Sequence, residues 1–302
     1  MLIADMHSDT LSLVTERDGI INDYNFSAKY PQLQFFAAFV PYRNESAEAR
    51  RKRALRFMDV YLSEVSRTGL IPIRDCRDLN MAIERGKSSA IFAVEGGGGL
   101  FADSEELDTL YRLGMRVLGL AWDTNELAGS AWDGDLGLTD EGKRLVERAS
   151  EMGIILDVSH LSDRSTEELL ELTPYPVLAT HSNFREVADS PRNLPTRLAR
   201  QIAKSGGVIG LNLYPPFLSG KDTADGEDIL RQVGFGLDLL GEDALGFGFD
   251  IDGTDGVYPR GFGEEGGSIH DRVVDLLLSH YSASTVEKIA GANVLEFCKN
   301  NL

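Results

Sequence analysis

Eight short, largely apolar runs punctuate this chain, at 2–4, 34–40, 90–94, 117–121, 154–158, 176–180, 207–213 and 244–249. Each is continuous rather than alternating. A strand with one wet face alternates apolar and polar residues, whereas a parallel strand covered on both faces need not. Segments of helical periodicity separate the runs, at 46–68, 75–85, 104–114, 139–152, 162–172, 195–205 and 225–240, and a helical tail follows from about 268. Eight buried strands alternating with helices predict an α/β fold, a (β/α)8 TIM barrel over 1–302 as a single domain with a C-terminal helical extension at about 268–302. The alternative is an open doubly wound sheet, but no Gly-x-Gly-x-x-Gly follows the first strand.

Composition narrows the classes. Lys plus Arg number 30 against 48 Asp plus Glu, a net charge of −18. Such a surface repels nucleic acid and anionic membranes. No run is long enough to span a bilayer and no signal-like segment precedes the first strand, so a cytoplasmic enzyme is expected. Cys76 and Cys298 suggest no disulfide framework. Arg50, Arg51, Arg53 and Arg56 could form a phosphate-binding face, although a solvated helix face is the plainer reading. His270 and His280, in the tail, read as surface or packing residues.

In a barrel of this kind function collects at the C-terminal ends of the strands. There the chain places His7 and Asp9, Glu95, His160, His181 and Asp250. Each has a dull explanation alone: a surface turn or helix cap for His7-x-Asp9, a loop carboxylate for Glu95, satisfied buried histidines, an Asx turn for Asp250. Together they describe a metal centre. His7, Asp9 and Glu95 would hold one ion and Glu95, His160 and His181 a second, with Glu95 bridging. Nitrogen and oxygen donors without thiolate favour Zn²⁺, with Mn²⁺ or Co²⁺ as competitors. Two such ions would generate a hydroxide from a bridging water, and Asp250 would take its proton and pass it to a leaving group.

Several motifs then resemble one family, the membrane (renal) dipeptidases, peptidase family M19, in the amidohydrolase superfamily of metal-dependent hydrolases. They are Asp5-x-His7-x-Asp9, Val94-Glu95-Gly96-Gly97, Asp157-Val158-Ser159-His160, Thr180-His181-Ser182-Asn183, Pro191-Arg192-Asn193, Asn212-x-Tyr214 and Gly248-Phe249-Asp250-Ile251-Asp252-Gly253. The resemblance implies a binuclear zinc dipeptidase acting on L,L or L,D dipeptides, with Asp250 as catalytic acid and base. It implies that Arg192 binds the substrate's terminal carboxylate and that Tyr214 faces substrate. A surface salt bridge for Arg192 and a core position for Tyr214 are the alternatives. It also implies a homodimer.

One departure stands out. After the fourth strand the family typically has Thr-His, the histidine polarising the scissile carbonyl, and here the pair is Ala121-Trp122. An indole donates one hydrogen bond and carries no charge. Trp122 would then shape the substrate pocket. Two other readings stay open: the same centre acting on another amide or a lactone, and a metal-binding protein that has lost catalysis.

Overall fold

Parallel pairing closes eight strands of this chain into a barrel. In the computed structural model, residues 17–20, 22–25, 42–44, 99, 101–103 and 264–266 fall outside the described residues. Gly99, at the end of the glycine turn after the third predicted strand, is among them. The strands are β1 (Ile3–Asp5), β2 (Gln32–Phe39), β3 (Ile71–Pro72), β4 (Ser89–Glu95), β5 (Met115–Gly119), β6 (Ile155–Asp157), β7 (Leu178–Ala179), β8 (Val208–Leu211) and β9 (Leu245–Phe247). Around the barrel the order is β1, β2, β4, β5, β6, β7, β8, β9, with β9 returning to β1. This is the expected (β/α)8 architecture.

The sequence pattern did not announce β3. It is two residues long and pairs only with the first residues of β4. Its second residue is a proline, which cannot donate to a ladder. Two short helices, Thr10–Glu16 and Pro215–Ser219, were also not anticipated. The expected caps are present: Thr139 accepts from Gly142 N and Ser162 from Ser165 N. The helical tail is interrupted, with helices at Ile269–Leu278, Ala283–Glu287 and Asn293–Asn301 and a π-helical turn at Lys288–Ala292. No helix among the described residues is long and apolar enough to cross a membrane.

The core explains where a site can be. Inside the barrel, Ala4, Met6, Leu33, Phe35, Ile91, Ile155, Leu178 and Val208 form one buried cluster. Val294, Phe297 and Cys298 of the last helix join it, together with Leu79 and Ala82. The N-terminal mouth is therefore plugged by apolar side chains. A second, larger cluster packs the helices on the outside of the strands. At the C-terminal mouth, polar side chains instead converge.

Candidate active site

At that mouth the strand ends bring together all six residues singled out as ligands or catalyst. His7 and Asp9 follow β1, Glu95 ends β4, His160 follows β6, His181 follows β7 and Asp250 follows β9. Three overlapping triads have ligand atoms within 4.8 Å of one another: His7, Asp9 and Glu95; Glu95, His160 and His181; His7, His181 and Asp250. Glu95 divides its oxygens. Oε2 lies 3.8 Å from His7 Nε2, while Oε1 lies 2.9 Å from His160 Nε2 and 3.3 Å from His181 Nε2. His7 Nε2 is 3.4 Å from Asp9 Oδ2 and 3.8 Å from Asp250 Oδ1.

The cluster fits a divalent cation by its own chemistry. His7 Nε2, Asp9 Oδ1 and Glu95 Oε1 are buried without a hydrogen-bond partner among the described residues. His160 Nε2 and His181 Nε2 face each other at 2.9 Å, a contact in which one of the two must present a lone pair. For His181 the hydrogen bonds decide which nitrogen is free. Thr180 Oγ1 has one proton and lies 2.5 Å from Asp157 Oδ2, so it donates there. It then accepts from His181 Nδ1 at 2.8 Å, leaving Nε2 unprotonated and aimed at the cluster.

Electrostatics agree. Burial pushes the Glu95 carboxyl up to about 7, with the His7 charge opposing and Asp250 assisting. Burial also raises Asp9 and Asp250, and drives His160 and His181 well below the ordinary imidazole value. For His7 burial pulls down, but Glu95, Asp9 and Asp250 outweigh it and carry the imidazole up to about 10. Three desolvated carboxylates and three imidazoles in one pocket are stabilised by added positive charge.

The backbone is bent to reach this arrangement. His160 and Asp250 take φ of 68° and 61°, and Asp252 takes 66°. Such values are uncommon for residues with a Cβ and cluster at functional sites. Asp250 is steadied by Asn212, whose Nδ2 donates to Oδ2 at 3.1 Å. Asn212 is in turn locked to Asn183 through two hydrogen bonds. Asp157, Thr180 and Asn212 lie within the motifs but carry no local sign of these roles. Only their partners across neighbouring strands reveal what they hold.

The three substrate-facing candidates are placed differently. A cleft of about 430 Å³ opens over the cluster, and Trp122 and Tyr214 line it with Phe39, Trp132 and Phe217. Arg192 is buried beside it, 4% exposed, its guanidinium 5.7 Å from the centre of the Phe217 ring. Nη1 donates to Ser182 Oγ and Nη2 to the His181 carbonyl, both at 3.0 Å. Among the described residues Nε has no hydrogen-bond partner and the guanidinium forms no ion pair. The arginines of helix Ala47–Thr68 are accounted for within the fold. Arg50 reaches the Glu45 carbonyl, Arg53 pairs with Glu45 and Glu16, Arg51 with Glu106, and Arg56 caps the Thr15 carbonyl. Arg50 is buried, Arg53 is half-buried and Arg51 and Arg56 are exposed, so this face of the helix is partly solvated.

Comparison with known proteins gives one answer. The family model described as membrane dipeptidase (peptidase family M19) matches residues 4–301. An uncharacterised protein from the pqqA 5′ region of Klebsiella pneumoniae is 29% identical over 235 residues, 72% of this chain and 85% of that one. Among solved structures, a metallopeptidase described as dipeptidase AC of family M19 superposes with a TM-score of 0.87 at 26% identity, covering 100% of this chain and 98% of the other. A metallopeptidase from Rhodobacter sphaeroides, bound to a phosphinate mimic of the dipeptide L-Ala-D-Ala, gives 0.88 at 25% identity, covering 100% and 99%.

Proposed function

The chain belongs to the membrane dipeptidase family, peptidase family M19, and is a metal-dependent dipeptidase; from that premise we propose that it cleaves L,L or L,D dipeptides at a two-zinc centre. In this reading His7, Asp9 and Glu95 hold one ion and Glu95, His160 and His181 the other. Mn²⁺ or Co²⁺ would suit the same donors. The observation that carries it is the division of Glu95, with Oε2 toward His7 and Oε1 toward His160 and His181. Bound divalent ions supply Lewis acidity toward a carbonyl oxygen and lower the pKa of the attacking water.

The chain's own residues do the rest. Asp250 accepts the proton that water loses and returns it to the departing amine, so the carboxylate is regenerated each cycle. Asn212 keeps one Asp250 oxygen engaged, so the proton is carried on the other, which faces His7. Arg192 meets the terminal carboxylate of the substrate. A buried cation with a spare N–H and no carboxylate of its own is suited to that partner. Fixing that end limits substrates to short peptides. Tyr214 and Trp122 line the cleft in which the peptide lies. We place the enzyme in the cytoplasm and, following the family resemblance, as a homodimer, with sedimentation as the check on assembly.

A zinc-loaded L,L and L,D dipeptide panel tests this, with Asp250→Asn as the blank and metal content measured per chain. Turnover of several dipeptides, its loss in the blank and two ions per chain are expected. Metal binding without turnover of any dipeptide overturns the substrate assignment. The indole at Trp122, where the family has a charged donor, favours as second reading another amide, such as an N-acyl amino acid or cyclic amide, or a lactone, and the panel includes these.

A further inference from the structure

Phe39 and Trp122 straddle Glu95. Phe39, Glu95 and Gly119 are level across β2, β4 and β5, and Trp122 follows three residues after Gly119. The two rings meet edge to face at 5.0 Å, bridging the strand that carries the shared carboxylate. Trp122 also lies 6.1 Å from the His160 ring and is 40% exposed, all within a cleft over the metal cluster. The turn beneath is bare. Gly96 takes φ of 83°, and a Cβ there would strike the Val40 carbonyl and lie 3.7 Å from the Trp122 Cβ.

The opposite wall is set by the barrel order. Counting round the eight strands, β8 stands four places from β4, directly across. Tyr214 and Phe217 follow β8, 5.0 Å apart, and Phe217 carries the Arg192 guanidinium over its ring. On the dipeptidase reading, a dipeptide anchored by its carboxylate at Arg192, on the β7–β8 side, would extend over the cluster and turn its N-terminal residue toward the β4 side.

We infer that Phe39 and Trp122 form the subsite for the side chain of the substrate's N-terminal residue, and that they select an aromatic or large aliphatic group there. The inference rests on the dipeptidase reading above. The carboxylates that line the cleft disfavour an anionic side chain, and a lysine side chain gains only a modest attraction to the ring faces. An indole and a phenyl ring reward apolar surface. They also explain why a tryptophan is tolerated at a catalytic mouth: the substrate covers it.

The test uses zinc-loaded enzyme and Xaa-Ala dipeptides, with Phe, Leu, Gly and Lys at the first position. Phe-Ala and Leu-Ala are expected to exceed Gly-Ala in kcat/KM by about tenfold or more. Trp122→Ala and Phe39→Ala should bring that ratio to within about threefold, chiefly through KM for Phe-Ala, and Trp122→Phe should keep most of it. Equal ranking in both alanine variants, or a wild-type preference for Gly or Lys, overturns the subsite. A wild-type enzyme inert to the whole panel overturns the dipeptidase reading. The subsite is then decided by binding, because the chain has two tryptophans. In Asp250→Asn with Trp132→Phe, the Trp122 emission should respond to Phe-Ala at lower concentration than to Gly-Ala, and an equal response overturns it.

Discussion

Asp5 and His270 are 265 positions apart in the chain and 2.8 Å apart in the barrel, and neither reaches solvent. The other Asp5 oxygen accepts from the His7 and Phe249 amides, both at 3.1 Å. One carboxylate therefore ties the end of the first strand, the end of the last strand and helix Ile269–Leu278 together. The ends it ties carry His7 and Asp250. Asp5→Ala or His270→Ala leaves a buried hydrogen-bonding group without its partner, at a cost of about 1–3 kcal/mol. Urea denaturation of the metal-free protein measures the loss. Divalent-ion affinity should fall with it, read in a metal-buffered titration.

Cation binding is predicted to release protons and to weaken as pH falls. In the metal-free chain His7 keeps its proton up to about 10, because Glu95, Asp9 and Asp250 outweigh the effect of burial. A cation using His7 Nε2 must displace that proton. Below about pH 10 each such proton costs tenfold in affinity per pH unit, so the sign is fixed: tighter at pH 8 than at pH 6. Isothermal titration in two buffers of different ionisation enthalpy counts the protons. Affinity independent of pH would exclude His7 as a ligand.

Arg192→Lys keeps the charge and loses the planar fork. It should raise KM for dipeptides about 10- to 100-fold, the worth of a charge-assisted hydrogen bond, with a smaller effect on kcat. Dipeptide amides, which have no carboxylate to bind, should lose only what the disturbed Ser182 and His181 contacts cost, a smaller change than the acids show. Steady-state kinetics on matched acid and amide substrates make the comparison.

Gly253 sits where a Cβ would collide with Asp250 Oδ1 and Asp9 Oδ2. Gly253→Ala must push one carboxylate off the cluster. It should lower cation affinity and turnover while leaving the helical circular dichroism of the barrel unchanged. Parallel measurement of metal stoichiometry and far-ultraviolet spectra distinguishes this from general unfolding.

The barrel was legible because its strands are covered on both faces and so read as continuous apolar runs, even where, as in β7, the ladder itself spans only Leu178–Ala179. The site was legible because a barrel's topology converts strand ends into neighbours, and three of five histidines fall there. What escaped was pairing without local signature. Nothing around His270 hints that Asp5 will meet it, nor that Thr180 will orient His181 by donating to Asp157. Arg192 shows the same limit from the other side. Its motif marked it as important, but only the fold shows that two of its donors hold the His181 loop.

The seam between β1 and β9 has a consequence for biosynthesis. His7 and Asp9 are made before the other strand ends, yet their anchoring strand gains its β9 neighbour only once Phe247 has been made. Asp250 follows immediately, and the helix that plugs the barrel floor, Asn293–Asn301, is made after it. A nascent chain thus carries every histidine of the cluster long before it can hold them in register. The mouth can be assembled only after β9 has been made, so the cluster is not ordered for a cation before then.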